Sequence, residues 1–327
     1  MNRRTFLCAL TLGTLAAPPL TSEAEQPKTP PRVAFLLMGS SPAGLTSAFD
    51  AFREGLRELG WVENENIAIE YRWAGESPDR LPELAADLVR LKVDIIIGST
   101  PGARAAQHAT ASIPIIMCIA DDAVKQGFVS NLARPAGNIT GMTSFVELAG
   151  KRLELLREVT PKVSRIALLW NPPASVPDYM KDTQMAARSL GVTLQPVEIQ
   201  TADDFESAFA SVVRGRAEAL VVGAGQFLFT HQRRVVEFAL KNRLPSIYAW
   251  KDPVSAGGLM AYGVNIPQVY RRAAYYVDRI LKGTKAGDLP VEQLTKFDLV
   301  VNLKTAKALG LAIPPSVLGR AEQVIDQ

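Results

Sequence analysis

Short apolar runs alternate with amphipathic segments along this chain, and the alternation occurs twice. The runs of the first half are RVAFLLM (32–38), IAIEYRW (67–73), VDIIIGS (93–99) and IPIIMCIA (113–120). The runs of the second half are RIALLW (165–170), TLQPVEIQ (193–200), EALVVGA (218–224) and LPSIYAW (244–250). The segments between them carry apolar residues at helical spacing. Strands that alternate with helices form parallel sheets with crossover connections.

The pattern predicts an α/β fold of two doubly wound parallel-sheet lobes joined by a multi-strand hinge. The turn-rich stretch RPAGNITGMTSF (134–145) interrupts the pattern midway, as a hinge crossing would. A long predicted helix at 269–283 follows the second set, so the chain crosses back. We expect residues 31–145 plus about 264–290 in the first lobe, and 146–263 plus about 291–327 in the second. An eight-stranded β/α barrel is the competing fold.

The first residues have the features of an export signal. Two arginines precede an apolar stretch (6–17) that is too short to cross a bilayer. Small residues then indicate cleavage after Ala24, so we interpret residues 1–24 as a signal peptide and expect a periplasmic protein. The Arg-Arg-x-Phe-Leu pattern also resembles a twin-arginine signal, which leaves the export route open.

Composition and motifs exclude several classes of protein. The chain has 36 basic and 33 acidic side chains and no basic run, so we expect no nucleic-acid partner. Cys118 is the one cysteine beyond the predicted signal peptide and lies in an apolar run, so we expect a buried thiol. The sequence lacks a Walker A motif, an H-E-x-x-H motif and a Cys/His cluster, so we expect no metal or cofactor.

Residues that follow the predicted strands of the first lobe are candidates for a ligand site. Open parallel sheets bind ligands outside the carboxyl ends of their strands. The candidates here are Ser40, Ser41, Ser99, Thr100, Pro101, Gly102, Ala103 and Asp122. The segment 99–103 begins a predicted helix, whose N-terminus would hold an anionic group. Ordinary helix or turn capping also explains these serines and Asp122, and at most one of Asp121 and Asp122 would face a ligand.

The second lobe offers aromatic and polar residues at equivalent strand ends. They are Trp170, Asn171, Gln226, Phe227, Tyr248, Trp250 and Asp252. The rings would stack on a flat part of a ligand, although packing between the lobes explains them as well. The two sets together predict a cleft for a small organic molecule with an anionic end and a flat or cationic part.

One stretch also has the spacing of a hydrolase nucleophile. Residues 98–102 fit G-x-S-x-G with Thr100 in the serine position, and that fold needs a histidine base late in the chain. The two histidines are His108, two turns beyond Thr100 on the predicted helix, and His231 at another helix start. Pro101 also lacks the N–H that would help to build an oxyanion hole. Binding without chemistry is therefore the favoured interpretation, and a secreted hydrolase is the alternative.

Longer stretches carry a resemblance to a known family. The most specific are the stretch from Asp122 to LARPAGNITG (132–141), KRLELLREVTP (151–161), SAGGLMAYG (255–263) and FDLVVNLKTAKALGLAIPPS (297–316). In these the chain resembles the tryptophan/tyrosine-type substrate-binding proteins of ABC transporters, which have the periplasmic-binding-protein type I fold. The resemblance implies a monomeric, non-enzymatic protein that closes over one ligand and serves an ABC permease in the inner membrane. A module that feeds a membrane sensor is the alternative role.

The resemblance also implies roles for individual residues. The Thr100 hydroxyl and nearby N–H groups would hold a ligand carboxylate, Asp122 matches a family acid, and Tyr248 lies in the matching second-lobe loop. Amino-acid-binding relatives tend to carry an acid after the third strand of the second lobe, where this chain reads GAGQFLF (223–229). Gln226 and Phe227 stand there instead, which argues against an α-amino ligand and leaves an aromatic or other carboxylate open. We expect a small carboxylate-bearing ligand that is aromatic or amino-acid-like.

Overall fold

The structure, a computed structural model, describes residues 29–39, 45–75, 77–144, 148–171 and 177–326. Strands and helices alternate along the chain as the sequence pattern predicts. The strands are β1 (Arg32–Leu37), β2 (Ala68–Trp73), β3 (Ile95–Gly98), β4 (Ile115–Asp121), β5 (Ile139–Ser144), β6 (Arg165–Trp170), β7 (Thr193–Glu198), β8 (Ala219–Val222), β9 (Ser246–Tyr248), β10 (Met260–Val264), β11 (Glu292–Gln293), β12 (Phe297–Asn302) and β13 (Gln323–Ile325). The helices are α1 (Thr46–Glu58), α2 (Leu81–Arg90), α3 (Thr100–Ala109), α4 (Leu148–Val159), α5 (Pro177–Ser189), α6 (Asp204–Arg214), α7 (Gln226–Thr230), α8 (Gln232–Lys241), α9 (Asp252–Ser255), α10 (Ile266–Leu281), α11 (Leu303–Leu309) and α12 (Pro315–Leu318).

The first sheet has the strand order β11-β5-β4-β3-β1-β2, and its strands pair in parallel. Side chains of β1 alternate between two cores, since successive residues of a strand point to opposite faces. Phe35 lies in a core with residues of α1 and α10, and Leu36 lies in a core with residues of α2 and α3. Helices therefore cover both faces, which explains why the strands read as continuous apolar runs.

The second sheet has the order β13-β12-β10-β9-β8-β6-β7. Its strands pair in parallel except β10 and β12, which are antiparallel. Two further cores lie on its faces, one with α6 and α8 and the other with α4. The two separate sheets confirm the predicted α/β fold with two doubly wound lobes and exclude the single barrel.

Three segments connect the two sheets and form the hinge. The chain passes from β5 to α4, from β10 to α10, and from β11 to β12. Strand β11 pairs with β5 in the first sheet, so residues 292–293 lie there, slightly beyond the expected boundary near 290. Hereafter the first lobe means the first sheet with its helices, and the second lobe means the second sheet with its helices.

The interruption predicted at 134–145 is wrong in part, because residues 139–144 form strand β5 inside the first sheet. Every residue of β5 is buried, including its threonines. Thr140 donates a hydrogen bond to the Leu289 carbonyl at 2.9 Å, and Thr143 donates one to the Ala120 carbonyl at 3.0 Å. Polar side chains are tolerated in a buried strand when they are hydrogen-bonded in this way. Because these side chains are polar, the sequence pattern predicted a turn here and not a strand.

Helix α10 begins three residues before its predicted start, at Ile266. The Asn265 side chain accepts a hydrogen bond from the Gln268 N–H, and a proline occupies the first turn. Both features are typical of a helix N-terminus. Asn265 directly follows β10, and α10 therefore starts where the chain enters the first lobe.

Two further sequence predictions concern Cys118 and the N-terminal segment. Cys118 is buried as predicted, and burial raises the pKa of its thiol. The predicted signal peptide (1–24) lies outside the described residues. Over the ranges that the structure describes, no helix has both the length and the apolar character needed to cross a membrane.

Candidate functional site

The carboxyl ends of the two sheets face each other and define the cleft. Phe229, which follows β8 in the second lobe, is only 5% exposed and belongs to a core otherwise built from the first lobe. Trp250, which follows β9, packs against this core and against a core of the second lobe. A Cβ atom added at Gly39, after β1, would lie 3.6 Å from the Thr230 hydroxyl. The lobes are therefore in direct contact.

The N-terminus of α3 lies at the first-lobe side of this cleft, after β3. Ser99 occupies the N-cap position with an extended backbone, but its side chain does not cap the helix. The Ser99 Oγ atom is buried and has no hydrogen-bond partner. The neighbouring Thr100 Oγ1 donates a long hydrogen bond, 3.5 Å, to the Ile119 carbonyl. A buried hydroxyl without a partner beside a helix N-terminus suits a polar or anionic ligand group.

The predicted residues 101–103 have different exposures. Pro101 is exposed, whereas Gly102 and Ala103 are buried against the sheet. A side chain at Gly102 would place its Cβ atom 2.1 Å from the Leu36 carbonyl oxygen. Glycine is therefore required at position 102 so that α3 can pack closely on β1. This packing explains the second glycine of the G-x-S-x-G spacing without any catalytic role.

Asp122 caps a turn in the structure. Its Oδ1 accepts a hydrogen bond from the Lys125 N–H at 3.1 Å, and its backbone φ is +22°. The side chain is half-buried. The capping interpretation is therefore correct, and a ligand contact for Asp122 stays a prediction. The other first-lobe candidates Ser40 and Ser41 lie outside the described residues.

Aromatic candidates of the second lobe differ in what they contact. Tyr248 is completely buried in the second-lobe core, so it offers no surface to a ligand in this conformation, and burial raises its pKa. The Phe227 ring stacks on Phe205 at 6.0 Å between centroids and contacts His231 edge-on at 4.7 Å. These partners belong to the second lobe. The contacts indicate that both rings stabilise the second lobe itself.

Phe229 is a cleft residue that the sequence analysis missed. Its ring meets Trp250 edge-on, with centroids 5.2 Å apart, at the contact between the lobes. The segment after β8 is a short helix, α7, so Phe227 and Phe229 point in different directions. A prediction of this helix from the sequence would have shown that only one of Phe227 and Phe229 can face the first lobe.

Polar candidates of the second lobe lie around these aromatics. The Asn171 side chain donates to the Ile199 carbonyl at 2.7 Å, and Trp170 is half-buried at the end of β6. Gln226 begins α7, and the contacts of its side chain are outside the described structure. Asp252 begins α9, is half-buried, and has its pKa raised by burial.

The geometry gives no support to a nucleophile at Thr100. His108 lies eight residues along α3, about 12 Å away at 1.5 Å per residue, and is exposed. His231 contacts aromatic rings inside the second lobe. Within the described ranges, no group of three His, Cys, Asp or Glu side chains is placed to hold a metal ion.

Comparison with known proteins gives a family match over most of the chain. A family model described as ABC transporter substrate binding protein matches residues 33–325. The tyrosine-binding protein of Clostridioides difficile (strain R20291) is 29% identical over 276 residues, which cover 82% of this chain and 77% of that protein. These matches confirm the resemblance found in the sequence.

Solved structures with a similar fold cover nearly the whole chain. A conserved domain protein from Vibrio cholerae has a TM-score of 0.82 at 26% identity and covers 90% of this chain and 100% of its own. An ABC domain from Streptococcus pneumonia in complex with L-Trp has a TM-score of 0.80 at 25% identity, with 91% and 100% covered. A ligand-free, open substrate-binding protein from Clostridium difficile has a TM-score of 0.65 at 27% identity, with 91% and 100% covered. With two mostly parallel sheets and a family match over both of them, this chain belongs to the ABC transporter substrate-binding proteins and has the periplasmic-binding-protein type I fold.

Proposed function

We propose that this protein is the periplasmic solute-binding component of an ABC importer and binds one small carboxylate-bearing ligand between its lobes. The family supports a binding role without catalysis. One relative is named a tyrosine-binding protein, and one similar structure holds L-Trp. We infer from these that the ligand is an amino acid or an aromatic acid.

The observation that carries the proposal is the buried Ser99 hydroxyl at the N-terminus of α3. It lacks a hydrogen-bond partner, and it lies at the sheet end that faces the second lobe. A ligand carboxylate there would accept hydrogen bonds from Ser99, from Thr100 and from free N–H groups of the first turn. The helix dipole would add about 0.3–1 kcal/mol, and up to about 2 kcal/mol in a partly buried site.

Closure couples binding to transport in this proposal. A ligand that contacts both lobes binds the closed arrangement better than the open one and shifts the population toward it. The closed surface would then dock on an ABC permease in the inner membrane. The protein would act as a monomer with no cofactor, and residues 1–24 would direct its export.

A thermal-shift screen of the mature protein tests the proposed binding function. The panel contains amino acids, aromatic acids, dicarboxylates and small amides. A ligand at 100 times its Kd stabilises the folded protein by about 2.7 kcal/mol, which raises Tm by several degrees at this size. Absence of any shift, together with no ligand released on denaturation and detected by mass spectrometry, would contradict the proposal.

Replacement of Thr100 by valine tests the anion site. Thr100→Val keeps the shape of the side chain but removes the hydroxyl, so we expect affinity for the best ligand of the screen to fall at least severalfold. Isothermal titration calorimetry measures the change. The matched control is Thr193→Val, because Thr193 is exposed at the amino end of β7, away from the cleft. Equal affinity of Thr100→Val and wild type would remove Thr100 from the site.

A further inference from the structure

One of the three crossings between the lobes runs from β10 of the second sheet into α10 of the first lobe, and Asn265 is the residue between them. Strand β10 is tightly packed in the second sheet. It pairs with β12 up to Val264, and a Cβ atom added at Gly263 would lie 1.9 Å from the Ala249 carbonyl oxygen. Helix α10 packs in the core of the first lobe. Rotation of one lobe against the other therefore turns the chain at Asn265.

The crossing from β11 to β12 is equally short. The Leu294 N–H donates a hydrogen bond to the Thr143 carbonyl at 2.8 Å, which attaches this end of the segment to the first lobe. Phe297 already belongs to β12 in the second sheet. The crossing itself thus comprises residues 295–296, and Asp298 follows it on the second-lobe side.

The Asn265 side chain is hydrogen-bonded to both lobes at once. Its Oδ1 accepts the Gln268 N–H at 3.0 Å and caps α10. Its Nδ2 donates to Oδ2 of Asp298 at 2.6 Å. Both Asn265 and Asp298 are half-buried. One planar amide thus joins the helix of the first lobe to a strand of the second, and it links two of the crossings.

This double contact depends on the angle between the lobes. The Oδ1 and Nδ2 atoms of Asn265 belong to one rigid group, so the cap fixes the direction of Nδ2 relative to α10. Asp298 is held in the second sheet by the pairing of β12. Hydrogen bonds weaken steeply as they lengthen or bend. A rotation of the lobes about Asn265 therefore weakens either the cap or the bond to Asp298.

We infer that Asn265 is the positioning residue of the hinge and forms with Asp298 a latch that favours the closed arrangement, in which the lobes touch. The latch acts in the protein without ligand. It determines how much of the population is closed before a ligand binds, and so how much of the ligand's affinity is lost to closure. The inference goes beyond the proposed function, because it concerns the equilibrium of the free protein.

An exchange of the two side chains tests the latch. Asn265→Asp keeps an oxygen that caps α10, since Asp and Asn are about equal as capping residues, but it replaces the donor by a second carboxylate facing Asp298. Addition of Asp298→Asn restores a donor and an acceptor with the direction reversed. We expect Asn265→Asp to raise the ratio of open to closed protein about tenfold, the value of a hydrogen bond to a charged group. The double variant should return to within about twofold of wild type, because it makes a hydrogen bond of the same kind.

Electron–electron double resonance measures this ratio in the mature protein after removal of any bound ligand. Spin labels on Val124→Cys and Asp203→Cys report the distance across the cleft, because these exposed residues follow β4 and β7 at the carboxyl ends of the two sheets. Opening of the lobes lengthens this distance. Cys118 is buried and should not take up a label.

Asn66→Asp is the matched control. The Asn66 side chain makes the same two kinds of contact inside the first lobe, since it accepts the Val62 N–H at 2.7 Å and donates to the Gly60 carbonyl at 2.8 Å. Its replacement should lower Tm without changing the label distance. Asp298→Asn alone keeps a carbonyl acceptor, so we expect a smaller shift toward the open state. This variant carries the test if Asn265→Asp does not fold.

Three results would overturn the inference. The first is a wild-type distance distribution in the single variant, and the second is a shift of that variant toward closure. The third is failure of the double variant to recover the wild-type distribution, because a loss of stability would then explain the single change. The proposed binding function stands apart from these results, since the thermal-shift screen with ligands tests it separately.

Discussion

At the scale of single residues, two glycines decide where the N-terminus of α3 lies. A Cβ atom at Gly98 would lie 2.8 Å from the Ala103 nitrogen, and one at Gly102 would lie 2.1 Å from the Leu36 carbonyl oxygen. Real side chains do not fit such distances, so α3 can approach β1 closely only with glycine at both positions. This spacing resembles a nucleophile elbow, but its physical basis here is helix-on-strand packing.

Gly102→Ala should disturb both stability and binding. The new methyl group forces the first turn of α3 away from β1, so we expect a destabilisation of about 1–3 kcal/mol, as for overpacked cores. This loss would occur although alanine is the better helix former by about 1 kcal/mol. Urea unfolding and ligand titration measure the two effects.

The matched control on the same helix is His108→Ala, since His108 is exposed. A surface change of this kind alters stability by less than about 0.5 kcal/mol. If Gly102→Ala were as stable as His108→Ala and bound ligand normally, the close approach of α3 to β1 would not matter for the site.

At the scale of elements, both lobes use an acid before their third strand to hold the start of their first strand. Asp94 precedes β3 and accepts the Arg32 N–H at 2.7 Å. Glu218 precedes β8 and accepts the Ser164 N–H at 2.6 Å and the Arg165 N–H at 3.1 Å. The lobes thus share a local device without a detectable sequence repeat. These hydrogen bonds hold the amino ends of β1 and β6, at the ends of the sheets opposite the cleft.

Glu218→Gln should destabilise the protein in a pH-dependent way. Hydrogen bonds from the Ser164 and Arg165 N–H groups lower the pKa of the Glu218 carboxyl. A lowered pKa means that the ionised group stabilises the fold above its unfolded pKa of about 4.3, and that this stabilisation is lost as the pH falls through the folded value. Solvent screens this exposed carboxylate, so we expect less than about 1 kcal/mol.

Urea unfolding at pH 7 and at pH 3.5 measures this effect. The difference between Glu218→Gln and wild type should be present at pH 7 and smaller at pH 3.5. Glu237→Gln, on the exposed face of α8, is the control and should show no such dependence. A difference that is constant with pH would show that the charge of Glu218 plays no part.

At the scale of the whole molecule, an aromatic contact joins the two lobes, and we expect it to affect how easily the cleft opens. Phe229 extends from the second lobe into the core formed by α1 and α10, and Trp250 packs beside it. Opening the lobes would expose both rings to water, at about 25 cal/mol per Å² of apolar surface. The closed arrangement is therefore stabilised in part by the protein's own side chains.

Phe229→Ala should favour the open arrangement. Removal of the ring weakens the contact between lobes, so we expect a larger radius of gyration without ligand in small-angle X-ray scattering. Apparent affinity should fall by the same factor as the fraction of closed protein. The control is Phe209→Ala, because Phe209 stacks on Phe238 within the second lobe at 4.0 Å. An unchanged radius in Phe229→Ala would show that the contact does not control closure.

The sequence by itself determined the alternating elements, the two lobes and the strand ends where a ligand site belongs. Those features follow from periodicity and turn residues, which depend on near neighbours in the chain. Only the tertiary structure decided that β5 is a strand, since its threonines need partners about 20 and 150 residues away. It also decided that Phe229, and not Phe227, packs into the core of the first lobe. The physical reason is that side-chain burial and hydrogen-bond partners depend on which distant segments of the chain come together. The hydrophobic pattern of neighbouring residues does not contain that information.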